Sequence, residues 1–262
     1  MKIAGRTFVI SGGASGLGRS CALDICRNGG HVAILDVNEE TGNALVKELG
    51  LSAKFFITDV LNSDSITTAV QGVADWVKHT GKHLGGVIPA AGVGNPALIL
   101  DGKGRPFSLS HVDFVLGINL RGTLDLVRQI LPLLARSDPV GKDGERGVVV
   151  MVASSAAFEG QMGQVMYAAS KGAVGAMTLP MTRDLSRHGI RVVTVAPGPF
   201  ETPMTALMSE KTKTSLRRAM EFPPREGKPE EFAALVTHSI ENVMLNGVVI
   251  RLDGGTRMPS RL

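Results

Sequence analysis

A tyrosine and a lysine lie four residues apart, and a serine precedes the tyrosine by thirteen positions: Tyr167, Lys171 and Ser154. On a helix, residues i and i+4 share a face. The ammonium of Lys171 is therefore expected to favour the phenolate and lower the pKa of Tyr167 from its usual value of about 10. The Ser154 hydroxyl can hold a carbonyl or alkoxide oxygen. The pattern predicts acid–base chemistry at such an oxygen, although an ordinary helix-surface pair has the same Tyr–Lys spacing.

Composition is that of one large α/β domain. The chain has 262 residues, is 44% hydrophobic and 20% charged, and contains 32 glycines. Its formal charge of +4 is scattered, with no Lys/Arg block, so nucleic-acid binding is weakly supported and anionic cofactors or substrates fit. No His–carboxylate cluster resembles a metal site, and no apolar run reaches membrane-spanning length.

The cysteines and the two chain ends bear on the compartment. Cys21 and Cys26 form neither a disulfide framework nor a metal spacing, which is typical of a reducing compartment. The first residues enter a strand at once, so we expect no signal or transit peptide. The C-terminal tripeptide Ser260-Arg261-Leu262 is a conservative variant of the Ser-Lys-Leu peroxisomal signal. We expect a peroxisomal protein if the source is eukaryotic, and a cytoplasmic one otherwise.

Short apolar runs alternate with amphipathic stretches of helical length along the chain. Predicted strands cover residues 7–11, 31–35, 54–58, 85–90, 147–153, 191–196 and 248–252. Predicted helices cover residues 16–28, 39–49, 63–79, 111–135, 163–188 and 229–241. Continuous β-branched strands indicate burial on both faces. Repeated β-α-β units predict a single-domain, Rossmann-type α/β fold: a doubly wound parallel sheet of about seven strands with helices on both faces.

Three stretches interrupt this alternation. Residues 95–110 and 137–146 are predicted loops. Residues 203–227 are neither plain helix nor plain linker, and they follow the sixth strand at the edge where open α/β folds bind ligands. We interpret this last segment as a substrate-binding lid. Its apolar lining would be Met204, Leu207, Met208, Leu216, Met220 and Phe222, and its basic residues are Lys211, Lys213, Arg217 and Arg218.

A glycine-rich turn follows the first strand and opens into a helix. Gly12, Gly16 and Gly18 allow a tight turn and close approach of the backbone to a pyrophosphate, which the helix N-terminus would stabilise. At the end of the second strand, Asp36 can accept hydrogen bonds from both ribose hydroxyls and would repel a 2′-phosphate, which favours NAD over NADP. Arg19 would favour the phosphate form, and a structural role of Asp36 as a helix cap is compatible with either cofactor.

These elements together resemble the short-chain dehydrogenase/reductase family over nearly the whole chain. The matching elements are the Gly12/Gly16/Gly18 turn, Asp59-Val60, Ala91-Gly92, Asn119, Ser154, Tyr167, Lys171, Pro197-Gly198 and Thr202. The resemblance implies that Tyr167 is the general acid/base and that Lys171 lowers its pKa and binds the nicotinamide ribose. It also implies that Ser154 orients the substrate oxygen and that Asn119 holds a water in a proton relay.

The resemblance implies NAD as cofactor. The implied cofactor-binding residues are Gly12, Ser15, Gly16, Leu17, Gly18, Asp36, Asp59, Val60, Ala91, Gly92, Tyr167, Lys171, Pro197, Gly198, Phe200 and Thr202. One position departs from the family pattern: Pro89 stands where an asparagine is usual. Because proline lacks an N–H, we expect altered strand geometry there.

Within the family, four segments resemble the type II 3-hydroxyacyl-CoA dehydrogenase branch: AAFEGQ at 156–161, TLP at 178–180, Asn246-Gly247 and IRLDG at 250–254. This implies NAD-dependent oxidation of 3-hydroxyacyl-CoA thioesters. The apolar lid residues would suit an acyl chain and the basic ones the CoA phosphates, although an amphipathic lid with a solvated charged face has the same pattern. The alternatives are a steroid, polyol or secondary-metabolite ketone as substrate, or a non-catalytic NAD-sensing or scaffold subunit. The family also implies a homotetramer formed through the two long helices.

Overall fold

A seven-stranded parallel sheet forms the centre of the molecule. The computed structural model describes residues 1–258, except for the side chain of Lys211, so the predicted targeting tripeptide lies outside the described residues. The strands are β1 (Thr7–Ser11), β2 (His31–Asp36), β3 (Ala53–Ile57), β4 (Leu84–Pro89), β5 (Gly147–Val152), β6 (Ile190–Pro197) and β7 (Val248–Leu252). Their order in the sheet is β3-β2-β1-β4-β5-β6-β7. Each predicted strand forms, with ends that differ by at most one residue.

Two apolar cores lie on opposite faces of this sheet. Along β1, Val9 belongs to one core, while Phe8 and Ile10 belong to the other, as the alternation of strand side chains requires. The strands β1, β4, β5 and β6 are buried at every position, which accounts for their uninterrupted apolar sequences. The predicted doubly wound α/β fold is therefore confirmed.

Helices cover both faces of the sheet. The helices are α1 (Gly16–Arg27), α2 (Glu39–Leu49), α3 (Ser63–Thr80), α4 (Leu109–Leu116), α5 (Thr123–Arg136), α6 (Val165–Leu185), α7 (Pro203–Ala206), α8 (Glu210–Arg218) and α9 (Pro229–Glu241). Helices α3, α5 and α6 contribute to one core, and α1 and α9 to the other. No helix in the described part of the chain combines the length and apolar character needed to cross a membrane.

The prediction of one continuous helix over residues 111–135 is wrong in one respect, because a π-helical segment (Gly117–Gly122) separates α4 from α5. Its two terminal glycines allow close packing on the loop that follows β3. A Cβ on Gly117 would lie 2.7 Å from Leu61 Cδ2, and one on Gly122 would lie 2.8 Å from the Val60 carbonyl oxygen. The wider turn leaves Asn119 fully buried.

Contrary to the expectation, Pro89 does not alter the geometry of the sheet. The β1–β4 ladder runs to the Ser11–Pro89 pair, and Ala90 N donates to Ser11 O at 3.1 Å. The β4–β5 ladder ends earlier, at the Val87–Val149 pair. Since successive residues of a parallel strand bond to alternate neighbours, the missing N–H of Pro89 faces β5, where the ladder has already ended.

Candidate active site

Ser154 and Tyr167 meet at the carboxyl ends of the central strands. Ser154 follows β5, and its Oγ accepts a hydrogen bond from Ala156 N at 3.1 Å, which fixes the short 3-10 turn Ser155–Ala157. Tyr167 lies in the first turn of α6, and its side chain hydrogen-bonds that of Ser154. Two hydroxyl groups therefore converge on one point, as binding a substrate oxygen requires.

Lys171 lies one helical turn after Tyr167 and is buried. Its Nζ donates to Val152 O at 2.9 Å and lies 5.9 Å from the centre of the Tyr167 ring. Burial lowers the pKa of Lys171 to about 8. It also raises the pKa of Tyr167, and the hydrogen bond with Ser154 offsets this only in part. The expected lowering of the tyrosine pKa is therefore wrong for the structure as it stands, because desolvation outweighs the other effects.

The Asn119 side chain hydrogen-bonds to two separate segments of the chain. Its Oδ1 accepts from Val93 N at 2.8 Å, and its Nδ2 donates to Val93 O at 2.9 Å and to Ser170 Oγ at 3.1 Å. The Ser170 hydroxyl in turn donates to Tyr167 O at 2.7 Å. The Asn119 amide thus links the loop after β4 to the start of α6, and its predicted role in a proton relay stays a prediction.

Ser170 was missed in the sequence. The signal available there was its position three residues after Tyr167 and directly before Lys171, on the same helix. A small hydroxyl residue between two functional side chains can bond to the backbone of its own turn. In the structure it is fully buried and bonds both to that backbone and to Asn119.

Ala91 and Gly92 connect this group to the glycine-rich turn. A Cβ on Gly92 would lie 3.2 Å from Asn119 Oδ1 and 3.4 Å from Lys171 Nζ, so the backbone of Gly92 passes close to both side chains. One residue earlier, the Ala91 Cα lies 2.8 Å from where a Cβ on Gly12 would stand. The predicted acid–base residues and the predicted cofactor turn therefore adjoin each other.

The glycine-rich turn has the geometry that a pyrophosphate requires. Gly12 and Gly16 have φ angles of +63° and +50°, which L side chains rarely adopt, and a Cβ on Gly18 would overlap the Gly12 carbonyl oxygen. Ser15 is the N-cap of α1, and its side chain makes no capping hydrogen bond. The first turn of α1, which contains Leu17, has no acidic residue. The helix N-terminus can therefore accept an anion, and the residues fit a dinucleotide.

Asp36 stands at the end of β2 and accepts two backbone hydrogen bonds, from Ala14 N to Oδ2 and from Asn38 N to Oδ1, each 3.1 Å long. It does not cap α2. That cap is Asn38, whose Oδ1 accepts from Thr41 N at 3.0 Å. Asp36 thus joins the glycine turn to the start of α2, with its carboxylate at the predicted ribose position.

Asp59 and Val60 follow β3 at the same edge of the sheet. The Asp59 Oδ1 accepts from Leu61 N at 2.9 Å, and Val60 packs against Gly122. Two exposed apolar residues, Val37 and Ile57, lie beside Asp36 and Asp59 in the chain and were missed in the sequence. Val37 directly follows β2, and Ile57 is the last residue of the edge strand β3.

The turn from Pro197 to Thr202 faces the glycine turn. The methyl and Cβ of Thr202 lie 3.5 Å from where a Cβ on Gly16 would stand, and Gly198 N donates to Leu252 O at 2.9 Å. The Phe200 ring is buried against Phe232, with ring centres 6.1 Å apart. The side chain therefore supports the turn from the core, and cofactor binding at Phe200 stays a prediction.

The lid predicted over residues 203–227 contains α7 and α8. Leu216 and Met220 are buried, so they do not line a substrate site, whereas Leu207 and Phe222 are exposed. A groove of about 650 Å³ runs along the lid. It is lined by Glu201, Thr202, Pro203, Thr205, Ala206, Lys213, Arg217, Pro224, Arg225 and Glu226.

A Rossmann-type sheet with a glycine turn and an adjoining Ser–Tyr–Lys group defines a nicotinamide-dependent oxidoreductase. The chain belongs to the short-chain dehydrogenase family, whose model ("short chain dehydrogenase") matches residues 6–213. Within the described residues, no group of three or more His, Cys, Asp or Glu side chains is placed to hold a metal ion.

Similar proteins span nearly the full chain. The 3-hydroxyacyl-CoA dehydrogenase type-2 of Drosophila melanogaster is 41% identical over 251 residues, covering 95% of this chain and 96% of its own. The protein of that name from Homo sapiens is 39% identical, covering 98% and 97%. The crystal structure of 3-hydroxyacyl-CoA dehydrogenase type-2 from Mycobacterium avium has a TM-score of 0.91 at 34% identity, covering 98% of each chain.

Proposed function

We propose that this oxidoreductase uses NAD to interconvert 3-hydroxyacyl-CoA and 3-ketoacyl-CoA thioesters. The observation that carries the proposal is the hydrogen-bonded Ser154–Tyr167 pair with Lys171 one turn away, beside a glycine turn that fits a dinucleotide. Its relatives with 37–41% identity are named for chemistry on a 3-hydroxyacyl-CoA. A secondary alcohol is the group that such a pair of hydroxyls can hold and deprotonate.

The acid–base steps follow from the positions of three side chains. When bound, a nicotinamide cofactor would accept or supply the hydride. Ser154 and Tyr167 hold the substrate oxygen; ionised Tyr167 takes the hydroxyl proton of the substrate in the oxidation, and protonated Tyr167 returns it in the reduction. The Lys171 ammonium stabilises the phenolate that forms when Tyr167 loses its own hydroxyl proton. Asn119 keeps the surrounding loop in place, and a water near its segment would connect Lys171 to solvent.

The preference for NAD over NADP rests on Asp36 and on the position of Arg19. The carboxylate of Asp36 would accept from the ribose hydroxyls and repel a 2′-phosphate. The Arg19 guanidinium, the competing feature, lies 2.7 Å from the Glu48 carboxylate. Glu48 therefore neutralises the cation that would otherwise attract the phosphate.

Binding of the CoA moiety is assigned to the groove along the lid. Lys213 and Arg217 line it, and Arg217 makes no ion pair with any described residue. Arg225 is held by Glu231, with N–O distances of 2.6 and 2.9 Å, and contributes less. Two carboxylates, Glu201 and Glu226, also line the groove, so we place the phosphates at the Lys213–Arg217 end.

The decisive test is reduction of acetoacetyl-CoA by NADH with the purified protein. The proposal is supported if acetoacetyl-CoA is turned over faster than steroid ketones, polyol-derived ketones and simple ketones. Faster turnover of one of those ketones would transfer the function to that substrate class. Tight NADH binding without reaction on any carbonyl would favour a sensing or scaffold role instead, although all four predicted catalytic residues are present.

Two further aspects are proposed with the function. Exposed apolar residues on α4, α5 and α6, namely Phe114, Leu124, Val165 and Leu179, suit a homotetramer formed through these helices, which light scattering would test. The tripeptide Ser260-Arg261-Leu262 suits peroxisomal import in a eukaryote. Loss of punctate localisation of a fluorescent fusion after deletion of the three residues would test the second point.

A further inference from the structure

One guanidinium connects two separate turns of the active site. Arg251 lies in β7, paired with Ala196 of β6. Its Nη1 donates to Glu159 Oε1 at 2.7 Å and its Nη2 to Glu159 Oε2 at 3.3 Å. The guanidinium carbon also lies 5.0 Å from the centre of the Phe158 ring. Arg251 is thus held by both residues that follow the turn capped by Ser154.

On that side, a short chain of backbone hydrogen bonds leads from Glu159 to Ser154. Glu159 N donates to Ser155 O at 3.1 Å, and Ala157 N donates to Ser154 O at 3.0 Å. The Ser154 hydroxyl accepts from Ala156 N within the same turn. The Glu159 backbone is therefore linked to the Ser154 turn through two backbone hydrogen bonds within residues 154–159.

On the other side, Arg251 reaches the turn that faces the glycine loop. Its Nε donates to Asp253 Oδ2 at 2.7 Å. The Cβ of Asp253 lies only 2.9 Å from where a Cβ on Gly198 would stand, and Gly198 N donates to Leu252 O at 2.9 Å. The end of β7 and the Pro197-Gly198 turn are therefore closely packed and hydrogen-bonded to each other.

The connection is stiffer than an ordinary surface ion pair. The side chains of Arg251 and Glu159 are 23% and 25% exposed, and that of Asp253 is 8% exposed. Two-pronged contact with a partly buried carboxylate fixes orientation as well as distance. Arg257 approaches the same two carboxylates at 3.3 and 3.5 Å, but its side chain is 62% exposed. Arg257 therefore serves as a natural control that carries the same charge.

We propose that Arg251 is a positioning residue that fixes the Ser154 turn relative to the Pro197-Gly198 turn. These two turns border the substrate oxygen and the cofactor, respectively. Arg251 therefore sets the alignment in which hydride transfer occurs, without contacting either reactant. The proposal rests on the proposed function for the roles of the two turns and for the choice of assay substrate.

The kinetic test compares Arg251→Gln with Arg257→Gln in the reduction of acetoacetyl-CoA. A misplacement of about 1 Å can cost up to about 100-fold in rate, so we expect kcat to fall at least about tenfold in Arg251→Gln. The NADH Kd should stay within about twofold, because binding energy is spread over the dinucleotide. The isotope effect with 4-deuterated NADH should increase as hydride transfer becomes limiting. Arg257→Gln should resemble the wild type, and Arg251→Lys should recover part of kcat.

A structural measurement accompanies the kinetics and needs no substrate. With NADH bound, amide hydrogen exchange should accelerate in residues 154–160 and around Gly198 in Arg251→Gln but not in Arg257→Gln. If the wild type does not reduce acetoacetyl-CoA, the proposed function fails and exchange alone decides the role of Arg251.

Three results would overturn the proposal: wild-type kcat and exchange in Arg251→Gln, equal losses in the two glutamine variants, or a loss of NADH affinity in proportion to kcat. If Arg251→Gln does not fold, Glu159→Gln provides the same test. It weakens the Arg251–Glu159 contact on the Ser154 side while keeping the Arg251–Asp253 pair. Its kcat should fall with NADH affinity unchanged, and a wild-type kcat would again refute the role.

Discussion

The ammonium of Lys171 donates a hydrogen bond to the carbonyl oxygen of Val152, 2.9 Å away, at the carboxyl end of β5. The lysine is therefore anchored to the strand that leads to Ser154, two residues further on. This contact holds a buried cation beside a tyrosine whose pKa is raised by the same burial. The two residues differ in how their burial affects stability with pH.

The first prediction concerns Lys171 and the free energy of unfolding. Because its pKa is lowered to about 8, the folded chain releases this proton above pH 8, while the unfolded chain keeps it to a higher pH. Stability therefore rises between pH 8 and 10 by up to about 2.5 kcal/mol relative to Lys171→Met. Urea denaturation across this range measures the difference. The exposed Lys47→Met should show no such slope, and an equal slope in both variants would contradict the assignment.

Tyr167→Phe removes the hydroxyl that takes the substrate proton. We expect turnover to fall by at least about a thousandfold, while NADH binding changes little, because the ring and its backbone bond to Ser170 remain. Steady-state kinetics and NADH fluorescence titration give the two values. Substantial turnover in this variant would show that another group transfers the proton.

Gly18→Ala introduces a methyl group that would overlap the carbonyl oxygen of Gly12. Because that oxygen belongs to the backbone, the turn itself would have to shift. The NADH Kd should rise at least about tenfold, since the backbone N–H groups would move away from the pyrophosphate. Gly102→Ala is the matched control, because a Cβ there meets nothing within 4 Å. If both variants bind NADH like the wild type, the glycine turn is not the pyrophosphate site.

Asp36→Ala should shift the ratio of NADPH to NADH activity by at least about tenfold toward NADPH, because it removes a repulsive charge at the 2′-position. Glu48→Gln alone should shift it by less than about fivefold. The Arg19–Glu48 pair is 42% and 50% exposed, and such pairs contribute at most about 1 kcal/mol. The double variant should exceed either. An unchanged ratio in Asp36→Ala would remove the basis for NAD preference.

Arg191→Met tests stability at the amino-terminal edge of the sheet, opposite the active site. Arg191 bonds Glu145 at 2.7 Å and donates to four carbonyl oxygens at or beyond the end of α9, of Ser239, Ile240, Asn242 and Leu245. Without the guanidinium, the buried Glu145 keeps only the Met1 ammonium, 2.7 Å from its Oε2, and the four carbonyl oxygens lose their donor. We expect a cost of about 3 to 5 kcal/mol of unfolding free energy. Chemical denaturation measures the loss, kcat at 25 °C should be kept, and the exposed Arg187→Met should behave like the wild type.

The sequence allowed the sheet to be predicted closely because β1, β4, β5 and β6 are buried on both faces and therefore read as continuous apolar runs. The meeting of Ser154, Tyr167 and Lys171 was predictable for a similar reason. The carboxyl ends of parallel strands share one edge, and residues at i and i+4 share one helix face.

Other features depend on contacts that no local pattern contains. The ion pair of Arg251 joins residues 92 positions apart. The interruption of the long helix arises where Gly117 and Gly122 pack on the loop after β3. The raised pKa of Tyr167 reflects burial that only the folded chain defines. Phe200 lies beside a functional turn in sequence, but its ring has a place in the core.

The π-helical segment restricts how this chain can change length. Deleting one residue between Gly117 and Gly122 would restore regular α-helix, but it would rotate one half of the helix by about 100° relative to the other. Asn119 could then face Val93 only if α4 or α5 gave up its own packing. Insertions and deletions in the loops at 95–110 and 137–146 carry no such penalty. The number of residues in this segment is therefore coupled to the chemistry, and we expect an insertion or deletion there to reduce activity even if every functional side chain is kept.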